Sequence, residues 1–336
     1  MKLRQILVVI ITSFFFVGAA NKQSNEVVIY TSLDQIFSEP ILKQFEQSTG
    51  IKVKAVYDIE AAKTTGLVNR LIAEKNNPQA DVFWNSEVGR TLILKKKDVL
   101  QSYHSPSAGN IPPQFKDPQG YWCGFAVRAR IIIINTNLVK PENEPRSIFD
   151  LLKEEWKGKI TIGNPLFGTT STHAAALFVK LGEEKAAQYF NDLMKNKVAV
   201  VDGNSVVRDM VAAGELAAGF TDTDDANLVL LEGKPVKIIY PDQDTFGTLV
   251  IPNTVAVVKN APHIKAAKLL IDYLLSEEVE EHLAHSGSMQ IPVRININTP
   301  DYVPAIGKIK AMEISCEEIA SKMESTAKTL QNIFLR

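Results

Sequence analysis

Apolar residues recur along the chain with two alternating periods, one typical of strands and one typical of helices. The first strand is predicted over Val27–Tyr30, where apolar residues follow one another without a break. A helix is predicted over Glu39–Ser48, because its apolar residues share one helical face and Gly50 ends the pattern. Strands that alternate with helices in this way predict an α/β protein with a largely parallel sheet.

The same alternation continues through two successive units of the chain. The first unit adds strands over residues 51–57 and 80–84 and a helix over 64–75. The second unit has helices predicted over 147–156, 171–181, 183–195 and 205–213, and strands over 159–162, 198–201, 217–221 and 236–240. Further helices are predicted over 264–275 and 308–335.

Two long extended segments, residues 122–135 and 247–259, flank the second unit. We interpret them as crossings between two α/β lobes, so that the chain passes twice through a hinge. A cleft between two hinged lobes is a natural site for a small ligand. The expected division places residues 27–125 and 252–295 in lobe 1, and residues 126–251 and 296–336, with the helical tail, in lobe 2.

The first 20 residues have the three parts of a cleavable secretory signal. Lys2 and Arg4 give a basic start, residues 6–17 are largely apolar, and small residues occupy 18–20. The apolar run is shorter than the roughly 20 residues of a membrane-spanning helix. No cysteine follows the small residues. The expected product is therefore a periplasmic protein without a lipid anchor.

The charge of the chain argues against nucleic acid as a partner. Loss of Lys2 and Arg4 with the signal reduces 37 basic residues to 35, against 38 acidic residues. Such a nearly neutral, slightly acidic protein lacks the basic excess that phosphate backbones attract. The two cysteines, Cys123 and Cys316, are expected to be buried thiols, with a disulfide as the alternative.

A hydroxyl-rich segment begins the helix predicted in the middle of the second unit. Thr169, Thr170 and Ser171 follow the strand and the loop 163–168. Free N–H groups at a helix start, together with the helix dipole, attract anions, and hydroxyl groups add donors. The alternative is ordinary helix capping, which serine and threonine perform routinely. At another helix start, Asn204 or Ser205 is expected to cap the helix, which leaves the other residue free to face the cleft.

An acidic segment follows the strand predicted over 217–221. It contains Asp222, Asp224 and Asp225 within four residues, and such carboxylates repel one another unless a cation or solvent compensates them. Hard cations such as Fe³⁺ or Ca²⁺ prefer oxygen ligands of this kind. The alternative is a solvated turn in which one aspartate caps the next helix.

Three further polar residues follow the strands or begin the helices of the first unit. Ser32 follows the first strand, Thr65 begins the helix after the second strand, and Glu87 follows the third strand. In parallel sheets, ligands bind beyond the carboxyl ends of the strands, so all three are candidate ligand contacts. Glu87 is also explained as an acidic residue in the first turn of a helix.

The chain carries no P-loop, nucleophile elbow, zinc-protease or dinucleotide-binding motif. A binding protein is therefore favoured over an enzyme, and no catalytic residue and no required cofactor are predicted. An exported enzyme with scattered catalytic residues is the less favoured hypothesis.

Several short motifs occur in order along nearly all of the chain after the signal. They are Tyr30-Thr-Ser, Phe45-Glu-x-x-Thr-Gly-Ile51, Pro78-x-Ala-Asp-Val-Phe-Trp84, Trp156-Lys-Gly158, Asn253-Thr-Val-Ala and the segment 267–276. These motifs are similar to those of the solute-binding proteins of ABC importers, most of all the ferric-iron-binding branch. The resemblance implies a two-lobed type II periplasmic-binding-protein fold, a monomer, closure on a ligand, and delivery to a permease and its ATPase.

The resemblance also implies roles for particular residues. Glu87 resembles a glutamate of the metal site, Thr169 to Ser171 resemble a helix start that holds a synergistic anion, and Asn204 resembles an asparagine beside it. The family has two adjacent tyrosines where this chain has Asp222-Thr223-Asp224. The resemblance thus implies Glu87 as a metal ligand, and the carboxylates of Asp222 and Asp224, which replace the tyrosines, are the expected further ligands of a hard cation, with phosphate or carbonate as the anion.

Two ligand classes follow from these residues. The first is ferric iron or another hard cation, bound with a small anion. The alternative is a phosphorylated or otherwise anionic organic solute, such as a sugar phosphate or a phosphonate, held by the same hydroxyl-rich helix start.

Overall fold

Runs of buried β-branched residues form the sheet at the centre of the protein, which a computed structural model describes over residues 25–59 and 64–334. The predicted signal, residues 1–20, lies outside the described residues. Ten strands within those ranges form one continuous sheet. They are β1 (Glu26–Thr31), β2 (Lys52–Tyr57), β3 (Val82–Asn85), β4 (Leu100–Gln101), β5 (Cys123–Asn135), β6 (Ile160–Gly163), β7 (Ala199–Val201), β8 (Ala218–Asp222), β9 (Val236–Ile239) and β10 (Val250–Val258).

Helices connect these strands and cover both faces of the sheet, as the alternating pattern predicts. Within the described ranges they are α1 (Gln35–Thr49), α2 (Thr65–Ala73), α3 (Gly89–Lys96), α4 (Gly168–Leu181), α5 (Glu183–Lys195), α6 (Asn204–Ala212), α7 (Thr223–Leu231), α8 (Ile264–Leu274), α9 (Glu277–His285) and α10 (Cys316–Phe334).

The helix predicted over residues 147–156 is wrong. Two short 3₁₀ helices, Ile148–Leu152 and Glu154–Trp156, occupy that segment. Ser147 and Asp150 form a reciprocal capping box on the first of them. Lys153 then has extended backbone angles, which interrupt the helix before a second full turn.

The sheet consists of two halves that share the long strand β5. The first half contains β1 to β4 and β10, and the second contains β6 to β9. Within the halves, β1 runs parallel to β2 and β3, and β6 runs parallel to β7 and β8. The beginning of β5 pairs with β10 and its end pairs with β8 and β9, all antiparallel. The predicted crossing 122–135 is therefore the strand β5 that both halves share, and the crossing 247–259 contains β10, with which the chain returns from β9 to the first half. The predicted lobe boundaries stay a prediction.

Each half packs apolar side chains on both faces, because successive residues of a strand point to opposite sides. In the second half, Ile132 and Ile134 face the core beneath α4, whereas Ile131 and Ile133 face the core beneath α6 and α7. Helix α10 packs against α3 as well as against α4 and α5, so it contacts helices of both halves.

The cysteines are both free thiols and are half-buried. Burial raises the pKa of Cys123 and of Cys316 to about 12, so both are protonated at neutral pH. In the part of the chain that the structure describes, no helix combines the length and the apolar character needed to cross a membrane.

A glycine at the centre of β8 lets helix α6 approach the sheet closely. A Cβ atom on Gly219 would collide with Val207 and would lie 3.1 Å from Val211 Cγ2 and 3.2 Å from Thr161 Cγ2. This contact sets the depth of α6 and so the position of its first residue, Asn204.

We therefore expect Gly219→Ala to lower the free energy of unfolding by about 1–3 kcal/mol, because overpacking forces neighbouring side chains and backbone to shift. Urea denaturation measures the change. The matched control is Gly307→Ala, where nothing lies within 4 Å of an added Cβ, and a change within about 0.5 kcal/mol is expected. Equal stabilities of the two variants would contradict the close approach.

Candidate functional site

Three helices of the second half begin at one cavity, which lies where the two halves of the sheet face each other. Helix α4 begins at Gly168, α6 at Asn204 and α7 at Thr223. The first half contributes Asp34 and Ser86 to the lining. The empty space measures about 390 Å³, part of it open to solvent, which suits a small ligand. We call this space the cleft cavity.

The helices meet there because each follows a neighbouring strand of the second half. Strands β6, β7 and β8 run parallel, so their carboxyl ends lie at the same edge of the sheet. Gly163, the last residue of β6, makes the close approach possible. A Cβ on Gly163 would lie 3.0 Å from Thr170 Oγ1 and 3.3 Å from Asn204 Oδ1.

A fully buried arginine of β5 lies behind these helix starts. Nη1 of Arg130 donates to Asp222 Oδ1 at 2.6 Å, to Asn204 Oδ1 at 3.1 Å and to Thr169 Oγ1 at 3.2 Å. Its Nη2 donates to Thr170 Oγ1 at 3.3 Å. Each of the three helix starts therefore contacts the same guanidinium.

A second buried arginine, Arg128, lines the cleft cavity itself. It lies 3.3 Å from Asp224 Oδ2 and donates to Asn253 Oδ1 of β10 at 2.8 Å. Burial alone lowers the pKa of Arg128, but the carboxylates of Asp224 and Asp222 outweigh burial and raise it. Arg208 of α6 approaches Asp225 to 3.7 Å.

The acidic segment predicted as a cation site is brought together by the fold. Asp222, Asp224 and Asp225 are all buried, and each offers an oxygen atom that lies within 4.8 Å of the others. Their charges already have arginine neighbours, so the cavity combines a carboxylate cluster with guanidinium groups and three helix N-termini. Such an arrangement can hold a ligand that carries both positive and negative charge.

The structure places five of the predicted ligand-binding residues around the cleft cavity. Thr169, Thr170, Asn204, Asp222 and Asp224 all line it. Helix α4 begins at Gly168, three residues before the predicted start at 171, so the hydroxyl residues lie within its first turn.

The other predicted residues lie outside that lining. Ser32 donates from its Oγ to Asn85 Oδ1 at 2.7 Å and to Ser86 Oγ at 3.1 Å, so it supports a lining residue from behind. Thr65 is the first residue of α2, and its buried Oγ1 has no partner among the described residues.

Glu87 and Ser171 take part in a contact that joins the two halves. Glu87 is fully buried, accepts from Thr172 Oγ1 of α4 at 2.8 Å, and accepts from the backbone N–H of Arg90 at 3.0 Å. Arg90 reaches the same helix, because Nη1 donates to Ser171 Oγ at 2.6 Å and Nη2 donates to the carbonyl of Leu166 at 2.9 Å. Burial lowers the pKa of Arg90. We call this group of contacts the cross-cleft latch.

The sequence of residues 77–314 matches the family described as bacterial extracellular solute-binding protein. This chain belongs to that family. Iron uptake protein A1 of Synechocystis sp. is 26% identical over 320 residues, which cover 92% of this chain and 87% of the relative.

Solved structures confirm the predicted type II periplasmic-binding-protein fold. The ferric binding protein from Campylobacter jejuni matches with a TM-score of 0.83 and 25% identity over 92% of this chain and 99% of its own. A periplasmic binding protein from Actinobacillus pleuropneumoniae, solved with fructose-6-phosphate bound, matches with the same TM-score and identity over 92% of this chain and 98% of its own. The prediction that this chain is the solute-binding component of an ABC importer is confirmed.

Sequence reasoning missed the two arginines that organise the cavity of this solute-binding protein. Arg128 and Arg130 lie in the predicted crossing 122–135, for which the sequence pattern indicates only an extended segment. A signal was present, since β5 is otherwise apolar and a buried strand rarely holds a charge without a partner. Their partners lie far away in sequence, however, so the pattern alone does not identify them.

The cross-cleft latch is expected to stabilise the closed form of this solute-binding protein. We expect Thr172→Val to favour an open form, because Glu87 loses a hydrogen bond that joins the halves, and bonds to charged groups contribute about 1.5–3 kcal/mol. Small-angle X-ray scattering of the ligand-free protein should show a larger radius of gyration.

The matched control for that experiment is Thr326→Val in α10. Thr326 is also buried in a helix, but its Oγ1 has no hydrogen-bond partner among the described residues. The radius of gyration should therefore match the wild-type value. Identical scattering from the Thr172 and Thr326 variants would show that the latch does not hold the halves together.

Proposed function

We propose that this protein captures ferric iron or another hard cation in the periplasm, together with a small anion such as phosphate or carbonate. The observation that carries the proposal is the buried acidic segment at the point where three helices begin, in which oxygen atoms of Asp224 and Asp225 lie within 4.8 Å of each other and of Asp222. Carboxylate oxygens suit a hard cation, and helix N-termini suit an anion.

The charges around the cleft cavity favour such a two-part ligand. The guanidinium of Arg128 lines the cavity, and those of Arg130 and Arg208 contact lining carboxylates. Five carboxylates line the cavity and three guanidinium groups line or contact it, so the described groups carry a net charge of −2. The three helix N-termini add roughly half a positive charge each. A ligand of one sign alone would leave the other set of groups uncompensated. The lining carboxylates are those of Asp34, Asp202, Asp222, Asp224 and Asp225.

The relatives support this proposal. The Synechocystis relative is named an iron uptake protein and the Campylobacter structure is that of a ferric binding protein. Both cover more than nine tenths of this chain. The same resemblance supports delivery to an ABC permease with its ATPase. Release as a soluble monomer without a lipid anchor, and the absence of enzymatic turnover, are parts of the same proposal.

The second candidate ligand is a small phosphorylated organic solute. Arg130 already occupies one oxygen of Asp222 at 2.6 Å, which weakens the case for that carboxylate as a metal ligand. Thr169 and Thr170 at the start of α4, and Arg128 beside them, offer donors that phosphate oxygens accept. The Actinobacillus structure with fructose-6-phosphate bound supports this candidate.

Thermal unfolding in the presence of ligands distinguishes the two candidates. We expect Fe³⁺ with phosphate or carbonate to stabilise the protein, by about 4 kcal/mol when free ligand is a thousandfold above its dissociation constant. Asp224→Asn should remove the response to the metal, because it deletes a buried carboxylate of the cluster. Asp244→Asn, at an exposed position, is the matched control and should respond like the wild type.

Two results would contradict the proposal that the acidic cluster binds a metal cation. A shift with fructose-6-phosphate or 2-aminoethylphosphonate, and none with Fe³⁺ under any of the anions, would overturn the metal proposal in favour of the organic phosphate. A response to the metal that survives Asp224→Asn would move the cation away from the acidic cluster.

A further inference from the structure

Arg130 is a fully buried residue in the middle of β5, and it is the common neighbour of the three helix starts around the cleft cavity. It contacts Thr169 and Thr170 of α4, Asn204 of α6, and Asp222 directly before α7. Its guanidinium also lies 4.8 Å from the ring centroid of Phe220. A planar group with several donors suits these contacts.

Asp222 has both of its oxygens engaged inside this network. Oδ1 accepts from Arg130 at 2.6 Å, and Oδ2 accepts from Thr169 Oγ1 at 2.6 Å and from Asn204 Nδ2 at 3.0 Å. A metal ion would have to displace these donors before it could bind Asp222. Asp224 lies 3.3 Å from Arg128, a longer distance than that between Asp222 and Arg130.

The network also fixes how α4 and α6 meet. Asn204 donates from Nδ2 to Thr169 Oγ1 at 2.8 Å, and Thr170 Oγ1 donates to Asn204 Oδ1 at 3.3 Å. Since Arg130 donates to all three side chains, it sets the direction of the first backbone N–H groups of both helices. Those N–H groups have no partner within their own helices and are the natural donors for an anion.

We propose that Arg130 is the positioning residue for the anionic part of the ligand and that Asp222 is its internal partner, not a ligand of the cation. The inference rests on the proposed function only for the identity of the ligand. It applies equally to a synergistic anion and to the phosphate group of an organic solute, because both offer oxygen atoms to the same helix starts.

The test compares the binding of Ga³⁺, a redox-inert substitute for Fe³⁺, with and without inorganic phosphate. Arg130→Lys keeps the positive charge but loses the planar set of donors. We therefore expect it to reduce about 30-fold the factor by which phosphate raises the affinity for Ga³⁺. A change of this size is what the loss of a hydrogen bond to a charged group produces. Binding of Ga³⁺ alone should stay within about threefold of wild type. Asp222→Asn should behave in the same way, whereas Asp224→Asn should lose Ga³⁺ binding itself.

The matched control is Arg294→Lys. Arg294 is likewise buried and paired with a carboxylate, Glu280, but its other hydrogen bonds go to the carbonyls of Ser107 and Leu275 and not to the helix starts at the cleft cavity. This variant should lose stability and keep the full enhancement by phosphate. An Arg130→Lys variant that behaves like Arg294→Lys would reduce Arg130 to a structural role. Loss of phosphate-free Ga³⁺ binding in Asp222→Asn would make Asp222 a ligand of the cation and overturn the inference.

Thermal unfolding of Arg130→Met, Asp222→Asn and the double variant provides a readout that needs no ligand. We expect the double variant to be more stable than Arg130→Met alone, because that single change leaves a buried carboxylate uncompensated. If the wild-type protein binds neither Ga³⁺ nor phosphate, the proposed function fails, but the comparison of the single and double variants still tests whether Arg130 and Asp222 are paired. Additive effects of the two substitutions on stability would overturn that pairing.

Discussion

The structure of the cleft depends on the burial of one positive charge, the guanidinium of Arg130. Removing such a group from water costs several kcal/mol unless hydrogen-bond acceptors surround it. Those acceptors come from Thr169, Thr170, Asn204 and Asp222, which belong to three separate helix starts. The need to satisfy one side chain therefore brings α4, α6 and α7 together, and the cavity that they line is a consequence of that packing.

The need of a buried charge for a counter-charge also explains why carboxylates and positive groups share the cavity. Asp222 compensates Arg130 and Asp224 compensates Arg128, so each of the two buried arginines of β5 has a counter-charge within 3.3 Å. What remains for a ligand is an outer layer of carboxylate oxygens, hydroxyl groups and helix N-termini. Glu87 and Arg90 of the first half do not line the cavity. They hydrogen-bond to Thr172 and Ser171 of α4 and so join the two halves of the sheet.

Local patterns predicted the secondary structure well where burial has a simple period. The strand that ends at Asp222 and the helix that begins near Asn204 were predicted within one residue, because alternation and helix-capping residues act over a few positions. The segment 147–156 shows the limit. Its apolar spacing fits a helix, but the extended backbone of Lys153 divides it into two short 3₁₀ helices.

The alternation of strands and helices, the two crossings, and the polar residues that begin α4 and follow β8 can be predicted from the sequence, because these features depend on neighbouring residues. The roles of those polar residues depend instead on contacts that the folded chain makes. Asp222 meets Arg130, 92 residues earlier in the chain, and Glu87 meets Thr172, 85 residues later. A local pattern shows that a charge is present, but its partner depends on which strands lie side by side in the folded sheet. That is why the acidic segment was found and the arginines that govern it were not.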